Sequence, residues 1–134
     1  MAKAPISCCI IHGGDDPHLD ATIASVEPHV EQIVVVRSTE VPGAHDDQGR
    51  IVDFAAARNR TLELATQPWC FWLDSDDLLA HGDRLDQLCR APEGTCYLLP
   101  YEYSYDQLGR VVTRQYRERL WSRGRAAGRS RPSW

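Results

Sequence analysis

No stretch of this 134-residue chain approaches the eighteen or so consecutive apolar residues of a membrane span, so the sequence implies no membrane-embedded protein. Its first residues, MAKAPISCCIIHGG, carry one Lys and an apolar run too short for a secretory leader, and a cytoplasmic location is the expectation. C-x-x-C spacing is missing: the five cysteines, Cys8, Cys9, Cys70, Cys89 and Cys96, form neither a zinc-site nor a redox pattern. Cys8, Cys9 and Cys70 stand inside apolar runs and are expected to be reduced core thiols. Lysine is almost absent, one against fourteen arginines, as expected of a GC-rich coding sequence. What remains is ordinary for one globular domain, with 43% hydrophobic residues.

Charge is divided along the chain. Residues 1–90 hold seven Lys or Arg against fifteen acids, a net of −8, whereas residues 106–134 hold eight Arg against two acids, a net of +6. A basic end on an acidic body is either a solvated tail or a contact for an anionic partner.

The hydrophobic pattern alternates strand and helix. Ile6–Ile11 is a continuous apolar run ended by the loop signal His12-Gly-Gly-Asp15-Asp-Pro17, and Leu19, Ile23, Val26 and Val30 then repeat at helical spacing. Ile33–Val36 is a second buried strand, residues 38–50 read as a loop, and Asp53 is placed to cap the helix FAAARNRTLELA. Gln67-Pro68 stops that helix before a third strand, Trp69–Leu73. A short helix near Asp83–Arg90, a strand at Cys96–Leu99, a turn at Asp106–Gly109 and a last strand at Val111–Thr113 follow. From Ser122 the residues are Arg, Gly, Ala, Ser and Pro without periodicity. The division expected is therefore a domain over 1–121 and a basic disordered tail over 122–134. Short apolar strands joined by helices predict an α/β fold, a Rossmann-like doubly wound and mostly parallel sheet.

The chemistry concentrates at Asp74-Ser75-Asp76-Asp77, directly after the third strand. Open α/β sheets bind ligands at the carboxyl ends of their strands. Three carboxylates there repel one another unless something compensates, and hard cations shared with phosphates favour such oxygen ligands. Asp74 and Asp76, one residue apart, are spaced to present one carboxylate to a ligand and one to Mn²⁺ or Mg²⁺. The plainer alternative is that these aspartates cap a turn and the helix after it.

The run Asp53-Phe-Ala-Ala-Ala-Arg-Asn, followed by Trp69-Cys-Phe-Trp-Leu-Asp-Ser-Asp-Asp77, resembles the large inverting family of GT-A glycosyltransferases, glycosyltransferase family two. There a D-F-A-x-A-R-N helix precedes a strand ending in L-D-x-D-D. Pro100-Tyr-Glu-Tyr and Arg117-Glu-Arg-Leu-Trp121 extend the likeness more weakly, over about residues 5–121. The resemblance implies a nucleotide-diphospho-sugar donor, an acceptor of unknown kind and sugar transfer with inversion. It places Asp74 and Ser75 with the nucleotide-sugar, Asp76 with Asp74 on the metal, Arg58 near base or phosphate, and Ile11-His12 beside the base. It assigns no catalytic base; Glu102 and Glu118 lie in segments able to approach the pocket.

Three features depart from that pattern. Arg37 follows the second strand where the family carries an Asp that pairs with the base, and a guanidinium has donors only. The stretch 37–53 is short, so one helix of the nucleotide-binding half is expected to be missing. The residues after Trp121 are what a shifted reading frame in GC-rich DNA would encode, so a truncation or frameshift near Ser122 and poor transfer to an acceptor are expected. Two other readings compete. A haloacid-dehalogenase-like phosphatase also carries D-x-D after a strand, but wants it on the first strand. A non-catalytic metal- or nucleotide-binding module would use the basic tail as an anion contact, although no RNA-binding pattern accompanies it and nucleic acid is not an expected partner.

Overall fold

The fold was obtained as a computed structural model, which describes residues 3–14, 16–48, 50–105 and 107–123. Asp15, Gly49 and Asp106, in three of the expected loops and turns, and residues 124–134 of the expected tail lie outside them. In chain order the elements are β1 (Ala4–His12), α1 (Leu19–Val26), β2 (Val30–Arg37), α2 (Phe54–Leu64), β3 (Trp69–Asp74), α3 (Leu85–Leu88), β4 (Cys96–Tyr105) and β5 (Val111–Ser122). They build an α/β fold around one sheet of order β2-β1-β3-β5-β4. β1 runs parallel to both β2 and β3, while β5 is antiparallel to β3 and to β4. The sheet is thus parallel at its centre but mixed as a whole.

Both faces are covered, which is why β1 and β3 are apolar at nearly every position. On one face Cys9, Ile11, Cys70, Trp72 and Trp121 pack with Ala57 and Leu62 of α2. On the other, Ile6, Cys8, Ile10, Phe71 and Leu120 pack with Val26 and Leu85, from α1 and α3. Cys8, Cys9 and Cys70 are buried free thiols, as their surroundings in the sequence predict. No described helix is long and apolar enough to cross a membrane.

The differences from the sequence reading have local causes. Val30 fits the helical spacing of α1, yet Pro28 diverts the chain into a 3-10 turn over Glu27–His29 and Val30 opens β2. β5 is four times the length expected, because Arg114 to Glu118 are exposed and no apolar alternation marks that part of the hairpin. Most important, the tail does not begin at Ser122. Ser122 pairs with Trp69, and Arg123 is buried, its guanidinium donating to the carbonyls of Leu62 (3.2 Å), Ala65 (2.9 Å) and Gln67 (2.8 Å). A cation here satisfies the carbonyls that α2 leaves open at its C-terminus and meets the negative end of its dipole.

Gly82 shows how closely the loop after β3 is seated. A Cβ there would overlap the His29 ring, whose Cγ would lie 2.7 Å away. Gly82→Ala is expected to lose about 1–3 kcal/mol of stability through this overlap. Adding His29→Ala should recover most of that loss in denaturant titrations, and a double variant no better than Gly82→Ala would discount the contact.

Candidate functional site

The site is built at the carboxyl end of β3. Asp74 stands in register with Ile11 of β1, and β1 is in turn paired to β2. Helices α1 and α2 pack on opposite faces of the sheet, so the chain reverses its winding between β1 and β3. A crevice opens at such a reversal, outside the strand ends.

Beyond β3 the three aspartates take different parts. Asp77 is buried, 8% exposed, and closes the turn: its N–H donates to the Asp74 carbonyl (3.1 Å), and its Oδ2 accepts from the Asp74 N–H (3.0 Å). Its Oδ1 accepts from the Tyr101 hydroxyl (2.7 Å), a bond that raises the Tyr101 pKa. Ser75 is tied back towards α1. Its carbonyl accepts from Thr22 Oγ1 (3.0 Å), and its side chain beside Asp16 holds that carboxyl below the usual range. Asp76 is exposed and has no hydrogen bond or ion pair among the described residues. Of these three aspartates, only Asp76 presents a fully open carboxylate.

Arginines supply the compensation that the acidic cluster demands. Asp53 Oδ1 caps α2 by accepting from the Ala56 N–H (3.0 Å), and one turn further on Arg58 lies over the Trp72 ring (4.4 Å) with Phe54 at 5.7 Å. Its Nη2 is 3.9 Å from Asp74 Oδ1. Arg119 approaches from the other side, 3.6 Å from Asp74 Oδ2 and 3.5 Å from Asp77 Oδ2, above the Tyr101 ring at 5.0 Å. The strands bring it there. β5 stays paired with β3 only as far as Phe71–Leu120, and the β4–β5 register then skips Arg119, passing from Tyr97–Leu120 to Leu98–Glu118. A bulge of this kind bends the strand and redirects a side chain. Arg119 Nη1 fills the split and meets the Trp72 carbonyl at 3.4 Å. Burial raises the Asp74 pKa, Arg119 and Arg58 oppose that rise, and Asp77 and Asp76 add to it.

Between β3, α2 and the hairpin lies a cavity of about 290 Å³, with Arg58, Asp74, Arg119, Arg117 and Glu118 on its walls. Of the residues singled out in the sequence, Arg58 and Asp74 meet there. Ile11, His12, Ser75 and Asp76 do not line it. The Ile11 side chain belongs to the core, leaving only its backbone at the strand end, and His12 is buried with Nδ1 donating to the Gly14 carbonyl (3.0 Å). Glu118 reaches the cavity, whereas Glu102 pairs with Arg114 at 3.0 Å. The roles of Arg119 and Tyr101 are new, whereas for Asp77 the turn-capping alternative holds. The Arg117–Trp121 segment carried the only sequence signal for Arg119, and nothing in it marked the bulge.

No family model, curated protein or solved structure matches the chain. The geometry therefore stands by itself. Among the described residues no three His, Cys, Asp or Glu side chains converge to hold a cation by themselves. The open Asp76 and the half-exposed Asp74 fit a different arrangement, in which a hard cation takes one or two carboxylates and completes its shell with phosphate oxygens and water.

Proposed function

We propose that the chain is a GT-A-type inverting glycosyltransferase, or its donor-binding half, which takes a nucleotide-diphospho-sugar at the carboxyl end of β3. The observation that carries this reading is the position of Asp74 and Asp76 at the reversal point of the sheet, with Arg58 of the D-F-A-A-A-R-N helix beside Asp74. Asp76, with Asp74, would hold Mn²⁺ or Mg²⁺ against the diphosphate, and the cation would neutralise charge on the leaving diphosphate. Asp77 keeps the turn closed so that Asp76 projects outward. Arg58, lying over the Trp72 ring, offers a planar cation to phosphate or base. With Arg37 at the end of β2, the family's base-pairing acid is replaced, and uridine has no privileged place among the donors.

The expected result is that Mn²⁺ together with a nucleoside diphosphate raises the melting temperature, while neither alone does so strongly. Saturation at about 100 times the dissociation constant adds about 2.7 kcal/mol. Asp76→Ala should remove this response while leaving the unliganded protein within about 0.5 kcal/mol of the parent, because its side chain is exposed. A panel of uridine, guanosine, adenosine, cytidine and thymidine diphosphates that produces no metal-dependent shift would reject the reading.

A further inference from the structure

We propose that the cavity beside Asp74 is an oxyanion site whose guanidiniums take a phosphoryl group directly, with Asp74 acting as the internal anion that the ligand displaces. The inference deepens the donor reading and rests on it only in calling the phosphoryl group part of a donor. Three arginines line a cavity of about 290 Å³, and their surroundings differ in a telling way. Arg117 has a neutral neighbour: its Nη2 donates to Gln115 Oε1 (2.8 Å), and it has no carboxylate partner among the described residues. Arg58 and Arg119 face Asp74 at 3.9 and 3.6 Å, distances beyond the ~2.7–2.9 Å of a closed charge-assisted hydrogen bond.

Each of those two guanidiniums lies over an aromatic ring, Arg58 over Trp72 and Arg119 over Tyr101. A ring face attracts a guanidinium as a cation, and the guanidinium's forked N–H donors match the geometry of phosphate oxygens. Asp77 stays behind the turn, occupied by Tyr101 and by the Asp74 N–H, so it does not compete for the cavity. Glu118 is the like charge that an entering anion meets; it is exposed to water, which weakens that repulsion. On anion entry Asp74 would exchange its guanidinium partners for the cation held with Asp76, and the guanidiniums would exchange Asp74 for phosphate.

The decisive probe is inorganic pyrophosphate, titrated calorimetrically into the whole chain with EDTA present. Binding is expected without metal, weakened tenfold or more, about 1.4 kcal/mol, by Arg117→Gln and by Arg119→Gln. Asp74→Asn should strengthen metal-free pyrophosphate binding severalfold, since it removes the competing anion, yet abolish any further gain from Mn²⁺. That opposite sign separates an internal competitor from a simple ligand residue. Arg119 contacts two carboxylates and its loss can unfold the chain; Arg117 is exposed, and Arg117→Gln keeps the question decidable. Affinity within twofold of the parent in Arg117→Gln, weaker metal-free binding in Asp74→Asn, or no pyrophosphate binding in EDTA would each overturn the proposal. Metal-free pyrophosphate binding without any response to nucleoside diphosphates would support the oxyanion site and remove the donor reading. Metal-dependent nucleotide binding without it would do the reverse.

Discussion

Arg123→Met is expected to destabilise the domain by about 3–5 kcal/mol, because three backbone carbonyls lose a buried charged donor. Arg123 is 3% exposed and donates to three backbone carbonyls, those of Leu62, Ala65 and Gln67, at the end of α2 and the start of the turn into β3. Methionine fills much of the same volume but donates nothing, so these carbonyls lose their charged partner in a place where water is scarce. An unsatisfied buried acceptor costs about 1–3 kcal/mol, and the dipole of α2 loses its cation as well. Arg123→Lys should recover part of the loss, because an ammonium reaches fewer acceptors than a forked guanidinium. Urea titration followed by the fluorescence of Trp69, Trp72 and Trp121, all buried, reads the change. A loss below about 1 kcal/mol would show that Arg123 behaves as the solvated tail residue its composition implies.

Asp77→Ala is expected to damage both fold and site, in contrast to Asp76→Ala, which should affect the site alone. Asp77 is the buried member of the cluster, and its removal strips the acceptor from the Tyr101 hydroxyl and the Asp74 N–H and takes one carboxylate from Arg119. Breaking a buried pair by deleting one partner costs about 3–5 kcal/mol. Here the lower end applies, since Arg119 retains Asp74 at 3.6 Å and the Trp72 carbonyl at 3.4 Å. With the turn open, Asp76 is no longer held outward, and the stabilisation by Mn²⁺ and nucleoside diphosphate should vanish together with about 3 kcal/mol of stability. Asp77→Asn preserves an acceptor for Tyr101 and should lose less. An Asp77→Ala protein that melts with the parent and still responds to metal and diphosphate would show that the turn organises itself without this side chain.

The two adjacent aspartates also show where sequence reasoning ends. Asp76 and Asp77 are the same residue type in the same hydrophilic run, and nothing in their neighbours distinguishes them. The difference arises because Tyr101 on β4 and Arg119 on β5, more than twenty residues away in the chain, close over Asp77 and leave Asp76 in water. Asp74 is similar: its place at a strand end is legible, while its two guanidinium neighbours come from α2 and β5.

By itself the sequence determined the elements whose signal is local. The apolar runs of β1 and β3, the β-branched run in β2, the Asp53 cap and helix of α2, and the aspartate cluster after β3 follow from periodicity, capping and turn chemistry acting over a few residues. Tertiary structure decided what depends on partners far along the chain. It turned the last two strands antiparallel, extended β5 through a segment whose exposed residues carry no alternation, and inserted the bulge that swings Arg119 into the split beside β3. It also drew Arg123 out of a stretch that reads as tail and buried it against carbonyls that only a folded α2 exposes. The reason is physical. Hydrophobic period and capping are written within one element, whereas the pairing of buried charges and open carbonyls depends on which elements the fold brings together.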